Sequence, residues 1–219
     1  MLNPDFAIIL NFKLADPELA PSTADALVKR ARDIGARCIA SNSPAAFEAA
    51  CDKYTVKNVP AMTGQKYAPD TVVDALVAAR KAGQPLVIDL DVANGLQEDD
   101  QAALAALNKW MHKFGHVVNE GAPCALECDL QGAFLLENRH VSYQDYLFLH
   151  APVAAQAVVT GLEQAPNRVE WVDGRAEVPF EFAAGQLTLD LAEAKDDFAW
   201  QVVRIQGHRP EDDLADTKF

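Results

Sequence analysis

The sequence has no run of about 18 or more apolar residues, the length a membrane-spanning helix needs. Basic residues are scarce. Lys and Arg number 19 against 32 Asp and Glu, for a formal net charge of −13. Such a surface repels phosphate backbones and anionic lipid, so neither nucleic acid nor a membrane is expected as a partner. Cysteine is sparse too. Cys38, Cys51, Cys124 and Cys128 form no Cys-x-x-Cys pair and are too few for a disulfide scaffold, so a reducing cytoplasm is the expected location. The start, MLNPDFAIILNFK, has no basic region before its short apolar run and no small-residue cleavage site, so no signal peptide is expected. P-loop, G-x-G-x-x-G and G-x-S-x-G motifs are missing, which leaves nucleotide binding and serine-hydrolase chemistry without support and calls for no cofactor. What is present suffices for a core: half of the 219 residues are hydrophobic. That excludes disorder as the dominant state and suits one large domain or two of about 100 residues.

The first half alternates apolar runs with helical spacing. Phe6 to Phe12 (FAIILNF), Arg37 to Ala40 (RCIA) and Pro85 to Val92 (PLVIDLDV) read as three buried strands. Between them, Leu27, Val28, Ala31 and Ile34 mark a helix with Ser22 to Asp25 as its N-cap signal and Gly35 as its stop. Pro44 to Tyr54 reads as a short helix. Val72, Val73, Leu76 and Val77 mark another, capped by Asp70 and ended by Gly83. The longest helix runs from Glu98 to Phe114 with the stripe Leu104, Leu107, Trp110, Met111, Phe114, and Gly115 is expected to stop it. Strand–helix alternation of this kind predicts βαβ units and a parallel sheet. After Gly121 the pattern changes to seven short segments split by Gly, Pro, Asn and Asp, with strict alternation in QLTLDL and a hairpin signal at Asp173-Gly174. The expected fold is therefore α/β plus all-β: a parallel α/β domain over 1–118, an antiparallel β-sandwich over 119–207 and a polar tail over 208–219.

Several stretches, taken in order, carry a resemblance. Phe6-Ala7-Ile8-Ile9-Leu10-Asn11-Phe12 is similar to F-G-I-F-I-H-W. The helix from Asp25 to Gly35-Ala36-Arg37-Cys38 is similar to a unit ending in G-A-K-Y. Phe47 and Lys53-Tyr54 match the phenylalanine of H-H-D-G-F and the K-Y after it. Asp70-Thr71-Val72-Val73 through Arg80-Lys81-Ala82-Gly83 resembles D-V-V-x-E-L-V-x-A-x-R-K-A-G. Leu104, Leu107, Trp110 and Gly115 fit L-x-x-I-G-x-W-x-x-x-N-G. These motifs belong to the retaining α-L-fucosidases, which are glycoside hydrolases, and the chain resembles a shortened member of that family. The resemblance implies a (β/α) barrel followed by a C-terminal sandwich. It also implies that the family's first-strand histidine falls at Asn11 and its tryptophan at Phe12, and that its sugar-binding H-H-D-G falls at Ser43-Pro44-Ala45-Ala46. The strand W-x-D, which carries the family's nucleophilic aspartate, has no counterpart, and between Gly83 and Glu98 only one strand fits. About half a barrel is therefore expected, with an open α/β face that the sandwich or a second copy of the chain would cover.

Three functions follow as expectations. The first is a fucosidase-like protein without the family's usual catalytic and fucose-binding residues, non-catalytic, with a carbohydrate-binding or structural role. The second is a working glycoside hydrolase with a rebuilt site. Its catalytic candidates are Asp89 and Asp91, whose spacing of two places both on one face near the C-terminal end of a strand, or carboxylates of a partner subunit. Alternatively, this pair simply ends the strand at a solvated edge. The third is a protein–protein interaction module. Substrate-binding candidates are Asn11 and Phe12, with Ser41, Asn42 and Ser43 at the start of a helix that either binds an anion or caps itself. His112 and His116, four apart, and Cys124 with Cys128, four apart, have metal-like spacing but lack the HExxH glutamate and a second cysteine pair, so no metal is expected. Trp171, Trp200, Tyr143 and Tyr146 either stack on sugar rings or fill the sandwich core.

Overall fold

The computed structural model describes residues 6–93, 95–194 and 197–207. The 208–219 tail lies outside the described residues. The chain divides into two units, Met1–Asn119 and Glu120–Phe219.

The first unit contains β1 (Ile8–Leu14), α1 (Pro21–Ile34), β2 (Cys38–Ser41), a 3-10 turn (Pro44–Phe47), α2 (Glu48–Tyr54), β3 (Lys57–Pro60), α3 (Val72–Lys81), β4 (Leu86–Val92) and α4, which begins at Glu98. Its four strands form one parallel sheet in the order β3-β2-β1-β4. β1, β2 and β4 are the three apolar runs of the sequence. β3 is a fourth strand that the sequence did not announce. It is polar, partly exposed and four residues long, and it is a strand because its backbone pairs with β2 from Cys38 opposite Lys57 to Ser41 opposite Pro60.

Three helix ends differ from expectation. α3 has Thr71, not Asp70, as its N-cap residue, and no side chain caps it. α1 starts at Pro21, with no side-chain cap from Ser22. Proline at the first helical position gives up an N–H that has no intrahelical partner anyway. The other end behaves as the pattern predicts: Gly35 is left-handed at φ 91° and its N–H reaches Arg32 O. α4 runs on through Gly115 to Glu120, 23 residues in all. Glycine inside a helix costs about 1 kcal/mol relative to alanine. Burial of Phe114, Val117 and Val118 offsets that, and the Gly115 site has little room for a side chain, with Met111 Cε 3.2 Å from where a Cβ would stand.

The second unit holds two antiparallel sheets. One has the order β10-β13-β8-β7-β5, from Arg168–Trp171, Trp200–Gln206, Gln144–His150, Phe134–Asn138 and Gly121–Pro123. The other has the order β11-β12-β9-β6, from Phe180–Ala183, Gln186–Asp190, Gln156–Thr160 and Glu127–Cys128. Both contribute to one core: Leu135, Leu147, Val169, Trp171, Val203 and Ile205 come from the first, and Ala157, Val159, Leu187 and Leu189 from the second. All seven short segments read from the sequence are strands. The chain does reverse at Asp173-Gly174, in a short hairpin closed by Trp171 N–H to Ala176 O and Val178 N–H to Val169 O, both at 2.9 Å. After one antiparallel bridge, Glu170 with Glu177, the chain leaves β10 for the other sheet. A second, two-residue hairpin that the sequence did not announce lies at Ala184-Gly185, where both residues have positive φ (52° and 78°) and Ala183 pairs with Gln186. Among the described residues, no helix is long and apolar enough to cross a membrane.

Candidate functional site at the C-terminal end of the parallel sheet

Strand alternation gives the parallel sheet two different faces. One carries Phe12, which stacks on Phe47 with ring centres 5.3 Å apart. The other is apolar at its base, where Phe6, Ile9, Cys38 and Ala40 cluster with Val59, Met62 and Val87. Towards the C-terminal ends this second face turns polar. Asn11 pairs in register with Asp89, and Lys13 with Asp91, so these four side chains share the face.

Asn11 is fully buried and wholly engaged. Its amide donates to Met62 O (2.7 Å) and to Asp89 Oδ1 (2.6 Å), and its carbonyl oxygen accepts from Met62 N (3.3 Å). Asp89, 7% exposed, receives Lys13 Nζ on its other oxygen at 2.5 Å. Asp91 stands farther along the strand and is exposed. Lys66 Nζ lies 3.0 Å from Asp91 Oδ2 and 3.3 Å from Asp100 Oδ2. These partners, Asp91 first, push the Lys66 ammonium up. Burial, with help from the charge of Asp89, pushes the Tyr67 phenol up.

The loop after β3 covers this face. Gln65 bridges Ile88 in parallel, accepting from Asp89 N at 2.8 Å and donating to Val87 O. Asp100 Oδ2 accepts from Asp91 N at 3.3 Å. The outer edge of β4 is thus occupied by residues of the same unit, which is how natural sheets protect an edge. Gly64 lies so close that a Cβ there would be 2.5 Å from Asp89 Oδ1.

The predicted residues therefore separate. Asn11, Asp89 and Asp91 come together. Phe12 and Ser41, paired in register, lie on the opposite face, buried. Asn42 clips the end of β1, bonding Leu14 N at 2.9 Å and Leu14 O at 3.0 Å, and Ser41 Oγ accepts from Ser43 N at 3.0 Å. Ser43 makes no side-chain cap, and the helix it precedes is a four-residue 3-10 turn. Lys13, Lys66, Gly64, Asp100 and Tyr67 were not singled out from the sequence. Lys13 was within reach of period-2 reasoning, two residues beyond Asn11. The others depend on where the β3–α3 loop and the start of α4 come to rest, which no local pattern encodes.

Chemically, each of the two catalytic candidates has its own lysine. The arrangement lacks the close, uncompensated carboxyl pair from which acid/base sites draw a general acid. Among the described residues, no three His, Cys, Asp or Glu side chains gather as a metal cage. His112 and His116 are exposed on α4, and Cys124 and Cys128 are free thiols pushed up by burial. Of the aromatics, Trp171 belongs to the core of the second unit, and Tyr146 is buried with its hydroxyl hydrogen-bonded to Asn138 and Gln144. Trp200 and Tyr143 are half-exposed.

No family model and no curated protein matches the chain. Solved structures do. The GH29 α-L-fucosidase from Bacteroides thetaiotaomicron superposes with a TM-score of 0.54 at 14% identity, covering 64% of this chain and 32% of that one. Isoenzyme 1 of the Paenibacillus thiaminolyticus α-L-fucosidase gives 0.55 at 14% identity, with 65% and 35% covered. The Thermotoga maritima α-fucosidase in complex with fucose gives 0.52 at 13%, with 83% and 56% covered. The chain thus spans from about a third to just over half the length of these proteins, and what it shares with them is a fold.

Proposed function

We propose that the chain is a shortened α-L-fucosidase-like protein, a partial (β/α) barrel joined to a β-sandwich, that does not hydrolyse glycosides and serves a carbohydrate-binding or structural role in a reducing compartment. The observation that supports this best is the setting of Asp89: bonded to Asn11 and Lys13 and overlain by Gly64, it has no room for a sugar ring beside its carboxylate. A retaining or inverting hydrolase needs two carboxyl groups facing the glycosidic bond. The test is release of the aryl group from an aryl α-L-fucoside by the wild-type chain and by Asp89→Asn and Asp91→Asn. All three are expected to match the uncatalysed rate.

The second reading, an active hydrolase with a rebuilt site, draws on Asp91 alone, since its side chain is 53% exposed. Turnover by the wild type that disappears in Asp91→Asn would establish it in place of the first. Trp200 is the aromatic proposed to stack on a sugar. Binding on a glycan array that Trp200→Ala removes supports the carbohydrate role, and an array with no bound glycan favours the interaction module. The proposed homo-oligomer would use the outer side of β3, which ends the parallel sheet. Light scattering behind size exclusion should then read twice the 23.8 kDa chain mass, and a monomer at micromolar concentration rules it out.

A further inference from the structure

In the second unit, β8 places Asp145 directly opposite Glu137 of β7, with Ile205 of β13 on its other side. Leu135 and Leu147 stand two residues away on the same two strands and belong to the core between the sheets. Strand alternation therefore turns both carboxyl groups to the core side. Cys124, just past β5, also packs against that core, and the charges of Asp145 and Glu137 both act on its thiol. The nearest cation of β13, Arg204, pairs in register with Tyr146, projects from the opposite face and is ion-paired to Glu170. Among the described residues, neither Asp145 nor Glu137 has a hydrogen-bond donor or a cation on its side chain. Like charges directly opposite each other in an antiparallel pair repel; here Asp145 is half-buried, while Glu137 is exposed.

We propose that Glu137 and Asp145 form a proton-operated latch at the margin of the five-stranded sheet. As the surroundings become mildly acidic, the pair takes up one proton on Asp145, the repulsion ends, and β7 and β8 hold more tightly. The proton comes from solvent, and the neutral carboxyl becomes the hydrogen-bond donor that the pair lacks. Burial, and after it the charge of Glu137, push the Asp145 carboxyl up to about 6 from an ordinary 3.8. The sign follows. A carboxyl raised on folding binds its proton more tightly in the folded chain. Its contribution is fully present below about pH 4 and is lost as pH rises through about 6.

The test is urea unfolding of the full chain at about pH 5 and about pH 7.5, for the wild type, Asp145→Asn and Glu137→Gln. The difference between wild type and Asp145→Asn removes the general effect of the −13 net charge. Asp145→Asn should stabilise the chain at about pH 7.5, by about 10- to 100-fold in the unfolding equilibrium. That advantage should shrink at about pH 5, and Glu137→Gln should narrow the swing. Equal pH dependence of wild type and Asp145→Asn overturns the proposal. So does a carboxyl-carbon NMR titration of the wild type that puts the Asp145 midpoint near 4, a readout that stands even where a variant does not fold.

Discussion

Replacing Glu170 by Leu is expected to destabilise the chain by about 3–5 kcal/mol. Glu170 lies on β10 and is 2% exposed. One of its oxygens pairs with Arg204, its register partner on β13, and the other lies 2.9 Å from Arg168 Nε. Arg168 is half in water and can turn outward. Arg204, only 16% exposed, cannot. Taking away the carboxylate leaves a guanidinium buried without a counter-charge, and that penalty, rather than the lost attraction, dominates. The double variant Glu170→Leu with Arg204→Met should therefore recover most of the loss, because neither charge then remains. Denaturant unfolding of the two single variants and the double variant measures this. A cost below about 1 kcal/mol for Glu170→Leu would show that Arg204 finds water readily.

Gly64→Ala is expected to cost about 1–3 kcal/mol, and Gly64→Val more. The added Cβ would meet Asp89 Oδ1 at 2.5 Å, Val87 Cγ1 at 2.9 Å and Val87 O at 3.0 Å. The last of these belongs to β4, which pairs along its whole length with β1 and cannot retreat. Asp89 is held on both oxygens by Asn11 and Lys13. The strain should therefore appear as a lifted β3–α3 loop, with faster amide exchange at Gln65 and Asp89, which bond across it. Adding Asp89→Ala to Gly64→Ala should relieve only part of the cost, because the contacts with Val87 stay. A thermal unfolding midpoint unchanged in Gly64→Ala would mean that the loop does not press on Asp89 and that a sugar ring has room beside that carboxylate.

Much of the first unit was legible because buried parallel strands and amphipathic helices leave local marks. FAIILNF and PLVIDLDV are apolar because both faces of the sheet are covered, and Leu27, Val28, Ala31 and Ile34 recur at helical spacing because one side of α1 is buried. β3 left no mark, since Lys57-Asn58-Val59-Pro60 gains its strand geometry from β2. Gly115 read as a stop because propensity is a local quantity, whereas burial of Val117 and Val118 is not. The candidate site was half legible. Period two placed Asp89 and Asp91 on one face, but depth along the strand buried one and exposed the other.

The residues alone determined the apolar strands and the amphipathic helices, where parallel α/β grammar passes into antiparallel β, and which side chains of one strand look the same way. All of these are consequences of a backbone repeat of 2 or 3.6 residues. Tertiary structure decided which partners meet: Lys66 with Asp91, Gly64 over Asp89, Arg204 with Glu170, Glu137 against Asp145. Such meetings depend on loop paths and strand register set by packing across the whole unit, and a chain of residues read in order has no local term for them.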